Sequence, residues 1–139
     1  DRFAAEGKKE IWNLLETDSR ARVIAIGRHT ESLYLPCCVQ TYEDVTGSQG
    51  NVMLVKTMDN FVEFLDYAKT DYIYIEAGYM AEGERTDTLT CDLVEYGILT
   101  PVCYENGNVL ARVDVHGEKT EGSEEKLVEF KQNRRLQEP

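Results

Sequence analysis

At 139 residues, with 42% hydrophobic and 29% charged residues, the chain has the size and composition of one globular domain, not of a disordered or fibrous protein. A net charge of −11 argues against polyanionic partners, nucleic acid and anionic lipid alike, because phosphate binding needs Lys and Arg to replace counterions. No run approaches the ~20 apolar residues of a membrane helix, and no basic start followed by an apolar middle marks a signal peptide.

The chain opens on Asp1 rather than Met, so a processed or excised piece is expected, with a membrane segment allowed outside it. Residues 3–16 place Ala4, Ala5, Lys8, Ile11, Trp12 and Leu15 along one helical stripe and end in the turn residues Thr17-Asp18-Ser19, which predicts an amphipathic helix. Arg22-Val-Ile-Ala-Ile-Gly27 is a near-continuous apolar run, the pattern of a strand buried on both faces, and is expected to be the most central strand. From Arg28 to Gly50 the pattern is weak. Pro36 within Leu33–Val39 excludes a helix interior or a central strand and leaves a short edge strand or a packed loop.

Val52–Val55 reads as a second strand, followed by a helix capped by Thr57 or Asp59 that carries Phe61, Phe64, Leu65 and Ala68 at helical spacing. Tyr72–Glu76 is the next strand, so 52–76 has the form of a β-α-β crossover with parallel strands. Residues 78–86 read as a loop. Thr86 or Thr88 can cap a helix with Leu89, Leu93, Val94 and Tyr96, stopped by Gly97. Pro101–Glu105 and Asn108–Val115 flank Asn106-Gly107, the pair that supplies the positive φ angles of a type I′ hairpin turn. Beyond His116 the composition turns charged, and Leu127, Val128 and Phe130 suffice for one or two helical turns.

The expected fold is α/β: a Rossmann-like mixed sheet, mostly parallel, with a C-terminal antiparallel hairpin and helices packed on the sheet. Residues 1–116 form the single domain and 117–139 a charged C-terminal extension.

In open parallel sheets ligands bind beyond the carboxyl ends of the strands. Arg28, His29 and Thr30 follow the first strand and Glu76 and Tyr79 the third, so if those strands are neighbours these residues line one crevice, suited to a sugar or a phosphate. The plainer reading makes them solvated loop residues. No G-x-G-x-x-G or G-x-x-x-x-G-K-[ST] loop occurs, and no serine sits in G-x-S-x-G. Only His29 and His116 are present, so a histidine metal site would need distant carboxylates. Acidic pairs such as Glu43-Asp44 and Glu124-Glu125 are expected by chance among 26 acidic residues. No catalytic residue, metal ligand or cofactor is assigned.

Cys37, Cys38, Cys91 and Cys103 lack C-x-x-C spacing and read as small buried or idle thiols, with a bridge from Cys91 or Cys103 to the vicinal pair left open. Tyr67, Tyr72, Tyr74, Tyr79 and Tyr96 suit either sugar rings or the margin of a core.

The segments ARVIAIG (21–27), FVEFLDYAKTDYIYIEAGY (61–79) and DLVEYGILTPVCYENGNVLARVDV (92–115) carry a wider resemblance. In pattern, residues 22–115 resemble the soluble extracytoplasmic domain at the C-terminal end of polytopic bacterial membrane glycosyltransferases that use lipid-phosphosugars. That resemblance implies a non-catalytic accessory domain outside the membrane, contacting glycan or lipid-linked sugar and the membrane portion of the same polypeptide. Catalysis in such enzymes lies in membrane-side loops, so no catalytic residue carries over. Two other classes stay open: a stand-alone cytoplasmic enzyme or binding protein using the Arg28/His29/Glu76 crevice, and a structural interaction module. The first predicts a deep polar pocket, the second an exposed apolar patch or a strand edge used in pairing.

Overall fold

A computed structural model of the chain describes residues 9–17, 20–26, 38–41, 57–77, 83 and 85–134. The elements are α1 (Lys9–Thr17), β1 (Arg22–Ile26), β2 (Cys38–Thr41), α2 (Met58–Tyr67), β3 (Tyr72–Ile75), α3 (Arg85–Glu95), β4 (Leu99–Glu105), β5 (Asn108–Val113) and α4 (Ser123–Asn133). They form a mixed α/β fold around a five-stranded sheet of order β2-β1-β3-β5-β4.

β1 pairs in parallel with β2 and β3, whereas β5 pairs antiparallel with β3 and β4. Parallel and antiparallel pairings are therefore equal in number among the described strands, which corrects the expectation of a mostly parallel sheet. The hairpin enters the sheet through β5 beside β3, and its own long pairing offsets the parallel half. β3, not β1, is the central strand. β1 is still interior, and its apolar run has the meaning expected of it: Ile24 and Ile26 face one core cluster, Val23 and Ala25 the other. β2 is an edge strand that begins two residues after Pro36. The expected strand at Val52–Val55 lies outside the described residues.

The two faces are covered unequally. On one, Ile24, Ile26, Ile73, Ile75, Val109 and Ala111 meet Phe61 and Leu65 of α2, Leu89 and Leu93 of α3 and Phe130 of α4. On the other, Val23, Ala25, Tyr74, Cys103 and Leu110 meet Ile11 and Leu15 of α1, the expected stripe at i and i+4. The arrangement is three layers, helix on sheet on helix.

Local chemistry sets the helix ends. Thr57 is extended and its hydroxyl accepts the Asn60 N–H at 3.2 Å, so Thr57 rather than Asp59 caps α2. α2 and α3 both stop in a six-residue reverse turn. Thr70 N–H reaches Leu65 O (3.1 Å) and Lys69 N–H reaches Asp66 O (3.2 Å); Ile98 N–H reaches Leu93 O (2.9 Å) and Gly97 N–H reaches Val94 O (3.2 Å). The left-handed residue is Gly97 (φ 76°) after α3 but Lys69 (φ 53°) after α2. The hairpin turns on Asn106 (φ 54°) and Gly107 (φ 84°), the two positive angles of a type I′ turn. α3 begins at Arg85, earlier than the expected caps Thr86 and Thr88, and the Asp87 carboxylate reaches back to accept the Gly83 N–H at 2.9 Å.

α4 runs for 11 residues, longer than the one or two turns its sparse apolar content suggests. It is held by tertiary contacts. Phe130 is fully buried in the main core, and the guanidinium of Arg134, just past the helix, pairs with Asp87 of α3. The chain reaches α4 by crossing Gly97 at close range: a Cβ on Gly117 would collide with the Gly97 carbonyl, and one on Gly97 with the Glu118 carbonyl. Among the described residues no helix is long and apolar enough to cross a membrane.

Candidate functional site

The order β2-β1-β3 places β1's two parallel neighbours on opposite sides of it, which makes the carboxyl ends of β1 and β3 a topological switch point. The register pairs Ile26 with Ile75, so both strands end level. Of the five residues expected there, Arg28, His29, Thr30 and Tyr79 lie outside the described residues. Glu76 is in place. Its N–H donates to the Ile26 carbonyl at 2.9 Å, extending the ladder by one rung, and the residue is only 6% exposed.

A residue not anticipated as part of this end is Asn108. Its side-chain Oδ1 accepts the Ala77 N–H at 2.8 Å and the Tyr74 hydroxyl at 3.2 Å, fastening the chain just after β3 to the start of β5. The sequence shows Asn108 only as the residue after a turn. Its role comes from the β3–β5 register, which sets Ile75 opposite Val109 and so carries Asn108 one step beyond, toward Ala77. The described part of this end thus places one carboxylate, Glu76, by strand register, the kind of group that hydrogen-bonds a polyhydroxylated ligand, while the buried Tyr74 hydroxyl and Asn108 brace the chain beside it.

A second concave region lies at the opposite margin of the sheet. A groove of about 610 Å³ follows β4, with Glu10, Asn13 and Leu14 of α1 on one wall and Glu129 of α4 on the other. Pro101, Val102, Cys103 and Tyr104 form its floor. α1 is anchored here by Glu105, whose carboxylate accepts the Glu10 N–H at 2.9 and 3.0 Å and the Ile11 N–H at 3.4 Å, satisfying early amides of that helix from a distant strand. The Cys103 thiol donates to Glu10 Oε2 at 3.7 Å. Burial, then the Glu10 and Glu105 carboxylates, push its pKa up to about 11. The Tyr104 phenol is likewise pushed upward, by burial first and then by Glu129. Carboxylates thus stand beside both groups, Glu10 and Glu105 by Cys103 and Glu129 by Tyr104.

Cys91 and Cys103 are buried thiols, neither in a disulfide, on opposite faces of the sheet. The side chains of Cys37 and Cys38 lie outside the described residues. Among the described residues no three His, Cys, Asp or Glu side chains gather as metal ligands. Comparison with protein-family models, with curated proteins and with solved structures finds no match to this chain.

Proposed function

We propose that this chain is an accessory, non-catalytic domain that binds a small polar ligand, a sugar or glycan, at the carboxyl ends of β1 and β3. One observation carries the reading: three parallel strands in the order β2-β1-β3, with the carboxylate-bearing Glu76 buried where β3 ends. A carboxylate in such a place accepts hydrogen bonds from paired hydroxyls, the recurrent feature of a sugar ring. Arg28, His29, Thr30 and Tyr79, which follow the same strand ends in sequence, complete the proposed site.

The Rossmann-like character of the parallel half belongs to the same proposal. So does the parent protein, a membrane-embedded glycosyltransferase of the lipid-phosphosugar type. In that setting the domain lies on the extracytoplasmic face of a bacterial membrane, tethered by segments beyond this sequence, and presents glycan or lipid-linked sugar to the membrane portion. The sequence resemblance supports that part.

The test is an amide NMR titration with hexoses, N-acetylhexosamines and short oligosaccharides up to roughly 10 mM, enough to saturate a site of ~1 mM affinity. Shifts centred on Ile26, Glu76 and Ala77, lost in Glu76→Gln, are expected. A full panel leaving those amides unmoved sinks the sugar-binding reading. A second reading, an interaction module, is favoured by the open groove along β4.

A further inference from the structure

We propose that the groove along β4 docks an extended segment of a partner protein, alternating basic and apolar residues, which adds to the sheet as a strand beyond β4. This rests on the interaction-module reading and supplies the chemistry of the partner.

β4 ends the strand order, so one long side of Leu99–Glu105 has no strand beside it among the described residues. Glu105 and Asn108 flank a two-residue turn and form the hydrogen-bonded pair that closes it. By the alternation of an antiparallel ladder, Tyr104 opposite Val109 then turns its N–H and C=O away from β5, toward the open side. An incoming strand meets an unused donor and acceptor there. Upstream the edge is blunted, because Pro101 has no N–H and the register shifts between Pro101 and Cys103. Pairing is thus confined to a short stretch, Val102–Glu105, which suits a short linear segment and not a long fibril-like edge.

The walls specify the side chains. Leu14 and Val102 are 44% and 39% exposed beside one another's elements and offer apolar contacts to every second residue of a strand. Side chains of the other parity turn to the opposite wall, where Glu129 stands exposed, while Glu10 adds negative charge beside Leu14 on the α1 wall. On the groove floor Cys103 lies against the Glu10 carboxylate, with Glu105 nearby, and Tyr104 has Glu129 near it, so the floor too is bordered by negative charge. A second copy of this chain is the poorer occupant. It would bring the same acidic walls together and join two molecules of net charge −11 each.

The probe is a fluorescein-labelled eight-residue peptide alternating Lys and Val, titrated into the full chain by fluorescence anisotropy. Its comparators are the Glu/Val counterpart and two backbone N-methylated versions, one for each edge of the peptide strand. The Lys/Val peptide is expected to bind at least tenfold more tightly than the Glu/Val one and to move the amides of Val102–Glu105. One N-methylated version is expected to lose at least tenfold, and Glu129→Lys to weaken binding severalfold; Glu129→Gln replaces it should the Lys variant not fold.

Equal binding of the two charge types, or undiminished binding of both N-methylated peptides, overturns strand addition by a basic segment. A sedimenting dimer with shifts along β4 overturns it in favour of a second copy. No binding by any peptide, together with no self-association, removes the interaction-module reading itself.

Discussion

Arg134, one residue past the last helix, pairs its guanidinium with the Asp87 carboxylate of α3, 47 positions earlier, and both side chains are under a tenth exposed (9% and 6%). Cys91 lies against the same pair, its Sγ 3.5 Å from Arg134 Nη1 and 3.9 Å from Asp87 Oδ1. The pair joins the charged C-terminal helix to the sheet-covering layer. Removing one partner strands a buried charge, a loss on the order of 3–5 kcal/mol. Asp87→Asn and Arg134→Met are each expected to lower stability on that scale in urea unfolding, with the double variant losing clearly less than the sum. Strict additivity would show that the two groups do not act as a pair.

The crossing of residues 117–118 over Gly97 admits no side chain. Gly117→Ala is expected to destabilise by about 1–3 kcal/mol, since the new methyl group meets backbone, which cannot rotate aside. Because this crossing delivers the chain to α4, amide exchange should accelerate first in Ser123–Asn133. Wild-type midpoint and exchange in that variant would refute the close approach.

Lys69 holds a left-handed conformation at the end of α2, where it makes a 3.9 Å ion pair with Asp66 between well-exposed side chains. Such a pair contributes little. The left-handed backbone costs a non-glycine residue roughly 1 kcal/mol, partly offset by glycine's greater freedom when unfolded. Lys69→Gly is therefore expected to raise the unfolding free energy from urea titration slightly, by at most ~1 kcal/mol, whereas Lys69→Val should lower it.

The Cys103 thiol, raised from 9.0 to about 11, gives a signed pH dependence. Below pH 9 the thiol is protonated both folded and unfolded and contributes no slope. Between about 9 and about 11 the unfolded chain releases this proton first, so stability falls as pH rises through that window. Urea unfolding at pH 8 and pH 10.5 should show a larger loss for the wild type than for Cys103→Ala, which removes this group and leaves the tyrosines to titrate as before. Equal losses in the two proteins would contradict the raised thiol.

Much of the fold was legible because it depends on neighbours in sequence. The apolar run of β1 signalled burial on both faces, Asn106-Gly107 signalled the hairpin, and the Ile11/Leu15 spacing signalled the face by which α1 docks. The parallel neighbourhood of β1 and β3, on which the crevice argument depended, is present in the described register. Sheet order was less legible. Nothing near the hairpin announces that β5 rather than β4 lies against β3, and that choice makes β3 central and leaves β4 as an edge. Asn108, Glu105 and Arg134 were illegible as fasteners for the same reason: their partners lie 31, 95 and 47 positions away, beyond any local periodicity.

By itself, then, the sequence determined most of the described elements, the Gly97 stop of α3, the Asn106-Gly107 turn and the apolar run that buries β1, since these follow from backbone preference and apolar spacing within a turn or two. Tertiary structure alone decided which strand became an edge, how a charge-rich helix gained a place on the core, and where carboxylates gathered around a groove. Those outcomes come from long-range pairing, in which one buried Phe130, one ion pair and one glycine crossing outweigh the weak local preference of the segment that carries them.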